Sequence, residues 1–482
     1  MPKRTDLLKH LPGLLIGALV LVLCALINPS NHYLSALLLI VCAVFLYFYI
    51  AVVPAKGNWW DMRAVFAAIW IATIGLASLR LTNYQRQWET STWLILALAY
   101  GMFYIGVTLG LELGAKLLDK TKSKPLSLGK KYSFQLHENR LFWVCFSATL
   151  FGIVCFAANI AIRGYIPYFS KKEDSYLDFY TKFYIFSVAS TMISGLSYYT
   201  LKTQALSLWK KIFLWFSIVY STFLFPMLVI SRGAFLTSAL ALTTALFYLN
   251  KKRFFLLVLS AIVIVAFYME GTTARGYSEG QLNAFFEPSV ITMNNATSSD
   301  SSTSTGDGQT DADDPNTVQF QLSGTAAFVY SYLTVSHDNF NEAVRLTEDY
   351  SYGIRQLIPF NVILRSSKLE QAIDNSPYYL VRPHLNTVNL VGYAYYDFGI
   401  AGVGILMLIW ALAFGMIQAF VLKGSGPFAL MALGNTMTPV VLCCFAPWMS
   451  VFSNWMHWGF AFILFLIATI SKKPSSHSGT NI

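Results

Sequence analysis

Charge is what this chain has least of. Its 34 Lys and Arg and 24 Asp and Glu make up 12% of 482 residues, against 55% hydrophobic ones. With a mean hydropathy of +0.52, that balance excludes a soluble globular domain and predicts many segments able to cross a bilayer. Within those segments ionisable side chains are nearly missing: Arg80, Glu112, Arg232 and Asp397 all fall where apolar runs end. A proton- or ion-coupled pump needs such groups near the bilayer midplane, so the chain does not read as one. Cysteine is scarce as well. Cys24, Cys42, Cys145, Cys155, Cys443 and Cys444 all sit in apolar runs, with no disulfide framework and no metal-ligand spacing. No internal repeat occurs, nor a matched pair of interrupted helices of the kind that forms a transporter's inverted halves. No small-residue cleavage site follows the first apolar run, so that run is expected to stay as a helix.

Apolar runs of spanning length are plentiful. They lie near 11–28, 33–54, 64–80, 92–114, 140–162, 182–201, 212–230, 233–249, 253–269, 399–421, 427–447 and 451–470. The expected fold class is therefore an all-α polytopic membrane protein of about 12 transmembrane helices. Nine helices fill residues 1–269, a large loop spans 270–388, three more helices fill 389–470, and a tail covers 471–482. Residues 212–249 carry a single charge, Arg232. As one helix they would be ~57 Å long, about twice the hydrocarbon thickness, so the chain must divide at Ser231-Arg232-Gly233. With the N-terminus inside, 21 of the 34 Lys and Arg fall in one set of short segments. That bias predicts both termini on the cytoplasmic side of a bacterial inner membrane, with the long loop and Arg232 on the outer face. The net charge of +10 belongs to this pattern and does not point to nucleic acid. Gly106, Gly110 and Gly114 repeat every four residues, the spacing that lets two helices approach closely.

The long loop holds most of the acidic residues and favours Arg over Lys. Within it, residues Asn294 to Asn316 have no large aliphatic side chain and are expected to be disordered. Asp311-Ala312-Asp313 matches a metal-binding DxD by chance in an acidic run, and no metal or other cofactor is expected. Val318–Thr334 and Phe340–Leu346 suit short helices lying on the membrane surface. Arg163, Arg232, Arg275, Arg345, Arg355, Arg365 and Arg382 line the outer face, and a guanidinium grips phosphate oxygens through two parallel hydrogen bonds. Each of them also fits a plainer role, pairing with a carboxylate or a lipid head group. Arg232 is the exception, since a tip between two spans has no evident need of charge. His337 and His384 are the candidates for a general base acting on a sugar hydroxyl. Asp397 sits beside Tyr395, Tyr396 and Phe398, whose faces suit sugar rings, and it equally suits a helix cap.

Three stretches together carry a resemblance. They are Arg163-Gly-Tyr-Ile-Pro167, Ser231-Arg232-Gly233 between two spans, and Arg382-Pro-His384-Leu-Asn386-Thr387 running into Tyr396-Asp397-Phe398-Gly399. In this order they resemble the Wzy family, the O-antigen or oligosaccharide repeat-unit polymerases of bacterial inner membranes. The low-complexity tract departs from that pattern as an insertion. The resemblance implies a metal-independent glycosyltransferase that uses undecaprenyl-diphosphate-linked glycans as donor and acceptor. On this reading the candidate catalytic residues are Arg232, His337, His384 and Asp397. The candidate substrate contacts are Arg163, Arg275, Arg355, Arg382, Asn386, Thr387 and Tyr396. The partners implied are membrane lipid, a chain-length regulator and a flippase. Two other readings stay open: an O-antigen ligase, which decorates a lipid A core, and a lipid-linked oligosaccharide flippase.

Overall fold

The computed structural model describes residues 4–121, 127–128, 132–134, 136–170, 181–229, 231–250, 290–294, 317–364, 366–424 and 426–472, with single positions at 259, 284, 286 and 288. Its helices are α1 (Arg4–Ile27), α2 (His32–Val52), α3 (Met62–Ser78), α4 (Thr90–Thr121), α5 (Glu138–Arg163), α6 (Pro167–Ser170), α7 (Thr181–Ser190) and α8 (Ile193–Thr203). There follow α9 (Leu208–Val219), α10 (Phe225–Leu228), α11 (Arg232–Leu249), α12 (Gly324–Leu346), α13 (Ile358–Leu364), α14 (Ser367–Asp374), α15 (Gly392–Leu422), α16 (Pro427–Val441) and α17 (Phe452–Thr469). Five short strands are added: β1 (Ser127–Leu128), β2 (Tyr132–Phe134), β3 (Val290–Asn294), β4 (Thr317–Gln321) and β5 (Ile470–Lys472). They form an antiparallel β1-β2-β5 sheet and a β3-β4 pair in which Val290 faces Gln321 and Asn294 faces Thr317.

Seven helices among the described residues are long and apolar enough to cross a membrane, and α3 and Gly233–Leu249 are shorter apolar ones. The chain is a helical membrane protein. Apart from position 259, the apolar run at 253–269 lies outside the described residues, as do positions 295–316 of the expected disordered tract. The run at 182–201 is two helices, broken between α7 and α8, and the run at 212–230 passes through a π-helical stretch at Tyr220–Leu224. A division does occur at the point where length required one. Ser231 caps α11 by accepting a hydrogen bond from the Ala234 N–H, as Asn31 and Asp61 do for α2 and α3.

The glycine spacing on α4 has a partner. Added Cβ atoms at Gly106, Gly110 and Gly114 would meet Ala411 Cβ at 2.6 Å, Gly415 Cα at 2.9 Å and Ala419 Cβ at 2.8 Å. The two longest spans thus touch backbone to backbone, and α1–α3 pack around that seam. Around α5, α8 and α16 a second apolar cluster forms, built on Phe142, Ile193, Leu196 and Met431.

The two ends of the bundle gather different segments of the chain. At one, Trp60 Nε1 donates to Thr244 Oγ1 (2.9 Å), Gln418 Nε2 donates to Asp61 (3.1 Å), and Lys423 pairs with Asp119 (3.3 Å). This gathers the α2–α3 loop with the ends of α4, α11 and α15. At the other, the Leu390 N–H donates to Cys443 O (2.8 Å), Ser336 Oγ donates to Cys444 O, and Ser450 Oγ donates to Gln356 Oε1 (3.3 Å). Here residues 336–390 meet the α16–α17 connection, whose Trp448 lies against Gly233 at the start of α11.

One expectation fails clearly. Residues 318–346 do not form two short surface helices; they form β4 and the single 23-residue helix α12. Most of that helix is buried, because its polar side chains have polar partners in the α3–α4 connection. Tyr84 OH donates to Ser331 Oγ (2.8 Å), Glu89 N–H and Thr92 Oγ1 donate to Asn341 Oδ1 (3.0 and 2.8 Å), and Tyr330 OH donates to Gln85 Oε1 (2.8 Å).

Candidate functional site

The Asp-Phe-Gly stretch sits at a break in α15. Gly399 has φ +60° and ψ −146°, and an added Cβ there would lie 2.7 Å from the Tyr350 ring, so only glycine fits. The short helical segment above the break, 392–398, anchors residues 351–357. The Ser351 and Tyr352 N–H groups donate to the carbonyls of Tyr396 (2.9 Å) and Asp397 (3.0 Å). The Asp397 carboxylate accepts from Ser351 Oγ (2.5 Å), Arg355 N–H (3.0 Å) and Gln356 N–H (3.0 Å). Asp397 therefore caps the 3₁₀ turn at Arg355–Leu357, and does not cap α15, in which it resides. Because its oxygens are committed to the fold, the expected catalytic role passes to a positioning one.

This anchoring turns Arg355 inward. Only 6% of it is exposed, yet it forms no ion pair among the described residues. Nη2 donates to the carbonyls of Ser376 (2.9 Å) and Pro377 (3.0 Å). The guanidinium carbon lies 4.6, 5.5 and 5.6 Å from the ring centres of Tyr378, Tyr393 and Tyr396. Nε has no hydrogen-bond partner, and neither has the adjacent Gln356 Nε2. Aromatic faces offset part of the cost of burying a cation, by about 2 kcal/mol or more in a desolvated setting. Among the described residues no carboxylate pairs with this buried guanidinium, and an orphaned donor beside it suits an anion.

The cage is itself held from two directions. Tyr396 OH donates to Tyr379 O (3.1 Å) and accepts from Tyr379 N–H (2.9 Å), and Tyr378 OH donates to Asn386 O (2.5 Å). Burial pushes the Tyr378 hydroxyl well above its ordinary value, so it stays a donor. Asn339 of α12 was not foreseen. Its Nδ2 donates to the carbonyls of Leu385 (2.6 Å) and Thr387 (2.6 Å), and its Oδ1 accepts from Val381 N–H (2.8 Å). One buried amide thus shapes the whole turn bearing Arg382, His384, Asn386 and Thr387. His384 and Asn386 are exposed, and Arg382 and Thr387 half-buried.

His337 is fully enclosed. Its Nε2 meets Thr73 Oγ1 (3.0 Å), its Nδ1 meets Asn389 Nδ2 (3.2 Å), and Trp70 packs edge-on at 5.3 Å. Burial lowers its pKa to about 3. A neutral imidazole with both nitrogens engaged inside the scaffold does not reach a sugar hydroxyl, so the expected general-base role is corrected to a structural one. Beside it, Asp338 accepts from Trp88 Nε1–H (2.9 Å) and Gln85 Nε2–H (2.9 Å), and burial raises its pKa to about 7.

Of the other arginines, Arg163 closes α5 and Arg232 heads α11. The side chain of Arg232 lies outside the described residues, as do Arg275 and Arg365 entirely. Arg345 pairs with Glu342 at 2.5 Å. Tyr378 and Tyr393 were missed as cage walls, although Tyr393 and Tyr396 stand at the i, i+3 spacing that places them on one helix face. Comparison with known proteins finds no match for this chain to a family profile, a curated protein or a solved structure.

Proposed function

We propose that the chain is an oligosaccharide repeat-unit polymerase of a bacterial inner membrane, with twelve spans, both termini cytoplasmic, and the Arg355 end facing outward. The observation that carries this reading is the caged arginine: a buried guanidinium with no ion-pair partner among the described residues, an orphaned N–H, and aromatic walls. Such a group suits the diphosphate of a polyprenyl-linked glycan, and the tyrosine-rich rim suits its sugars. In the proposed step an acceptor hydroxyl loses its proton to a base and attacks the anomeric carbon of the growing chain. The bond from that carbon to the diphosphate breaks, and the departing diphosphate takes up the negative charge beside Arg355. His384, exposed on the turn that Asn339 shapes, is the candidate base. Arg163, Arg232, Arg275 and Arg382 supply further diphosphate or glycan contacts, with Asn386 and Thr387 at the acceptor side. A chain-length regulator and a flippase are the expected partners.

The test is turnover of undecaprenyl-diphosphate-linked repeat units by reconstituted protein. Arg355→Ala should slow polymer formation by about 10²-fold or more, the scale of losing one preorganised charge donor. Arg355→Lys should recover little of it, since a lysine provides neither the planar stack nor the paired donors. Polymer of normal length and rate from Arg355→Ala would remove the site. Deleting the gene separates this reading from a ligase: a polymerase mutant keeps single-unit glycan on its acceptor, whereas a ligase mutant has none.

A further inference from the structure

The opposite end of the bundle carries a site of its own. A cavity of about 570 Å³ opens among the start of α1, the α2–α3 loop and the ends of α4, α11 and α15. Its volume lies in the range of small-molecule sites. Its wall is built around a buried ion pair. Asp61 holds Arg63 through Nε (2.9 Å) and Nη2 (2.9 Å), and Gln418 adds a third donor to the carboxylate. The remaining Arg63 nitrogen reaches Thr108 Oγ1 (3.3 Å) and His10 Nδ1 (2.9 Å). Because Arg63 can only donate, His10 is neutral with its proton on Nε2. This pair is internally balanced and leaves no net charge on the cavity.

Two further lining charges are not balanced in that way. Lys56 and Glu112 make no ion pair among the described residues, whereas Lys423 is paired with Asp119. Lys56 adopts φ +53° and is followed by Gly57 at φ +84°. A left-handed conformation at a non-glycine residue is strained and is kept where the surrounding structure imposes it. The wall therefore offers one cation and one anion, together with apolar surface from Leu111, Val421 and Leu422. Its depth along the membrane is also informative. The 32 residues of α4 make a rod of ~48 Å against a hydrocarbon core of ~30 Å, so its last turns, beyond Glu112, reach the head-group layer.

We infer that this cavity holds the head group of a zwitterionic phospholipid with a primary ammonium. Its phosphate lies toward Lys56, its ammonium toward Glu112, and its glycerol along the apolar wall. An anionic lipid would leave Glu112 facing phosphate. A choline head group carries positive charge but no N–H to donate to the carboxylate. The inference is independent of the polymerase reading, because it concerns the other end of the molecule.

The test is lipid binding to the delipidated full-length protein, followed by native mass spectrometry with phosphatidylethanolamine, phosphatidylcholine and phosphatidylglycerol. Phosphatidylethanolamine should bind roughly threefold to tenfold tighter than either of the others, the scale of one or two charge-assisted hydrogen bonds. Glu112→Gln should erase its advantage over phosphatidylcholine, and Lys56→Gln should weaken both alike. Thermal unfolding of each variant reports whether the fold is intact, and the wild-type order of lipids needs no variant at all. Equal binding of the three lipids, or an unchanged order in folded Glu112→Gln, overturns the assignment. So does equally strong binding of water-soluble phosphoethanolamine, which would make the ligand a free phosphorylated amine.

Discussion

Both carboxylate oxygens of Asp397 are taken up by the 351–356 segment, which carries Arg355 into its cage. Asp397→Ala should therefore lower stability by about 2–4 kcal/mol, the cost of leaving several buried donors unsatisfied. It should also abolish activity without the residue ever touching substrate. Thermal unfolding in detergent checks the first, and partial rescue by Asp397→Asn, which keeps one acceptor, checks the second. Asp338 gives a prediction with a definite sign. Its pKa rises from 3.8 to about 7 on folding, so between those values the folded protein holds a proton that the unfolded chain has released. Its stabilising effect is full below about pH 4 and is lost as pH rises through 7. His337 runs the other way: its effect is present above 6.5 and is lost as pH falls toward 3. Asp338→Asn should accordingly melt higher than wild type at pH 8.5, and the gap should narrow as pH falls and close only near pH 4. Parallel melting curves across that range would show that Asp338 is ionised in the folded state. The positions of Asp397 and Tyr396 beside the turn at 382–387 were legible in the sequence because the motif is short and dense. The roles were not. A composition that suits catalysis also suits capping, and only the hydrogen-bond partners separate the two.

Helices divide in the same way between what periodicity reveals and what it hides. The small-residue spacing at Gly106, Gly110 and Gly114 was readable, since four-residue repeats lie on one helix face, and it meets α15 directly. Gly110→Leu should force the seam apart and destabilise the fold by more than about 3 kcal/mol, the upper range of overpacking. The same change at Gly459, where an added Cβ would meet nothing within 4 Å, should be nearly neutral. Detergent melting temperatures compare the two. Helix α12 was hidden. Its Ser, His, Asp and Asn residues look like a solvated face, yet they are buried against Gln85, Trp88 and Asn389. Hydrophobic patterning measures avoidance of water, and a polar helix whose partners are also polar escapes it. The buried Asp61–Arg63 pair escaped for the same reason: from sequence it is only a loop with two charges.

Across the whole molecule, the two ends identified by cross-bundle hydrogen bonds should lie on opposite sides of the membrane. An engineered cysteine at the exposed Asn386 should react with an impermeant thiol reagent from one side only, and one at Gly57 from the other only. Labelling of both from the same side would overturn the proposed topology and the outward-facing arginine with it. The seam between α4 and α15 also has a consequence for how the protein is made. Its two halves are separated by about 270 residues of chain, and Gln418 joins Asp61 across 357 positions. At translation rates of about 5–20 residues per second, α4 waits from roughly 15 s to a minute in the bilayer before its mate is synthesised. During that interval its glycine-lined groove is an open surface for a chaperone or insertase to guard. Ribosomes stalled before residue 392 should therefore leave a nascent chain marked for destruction, however well its first spans have inserted.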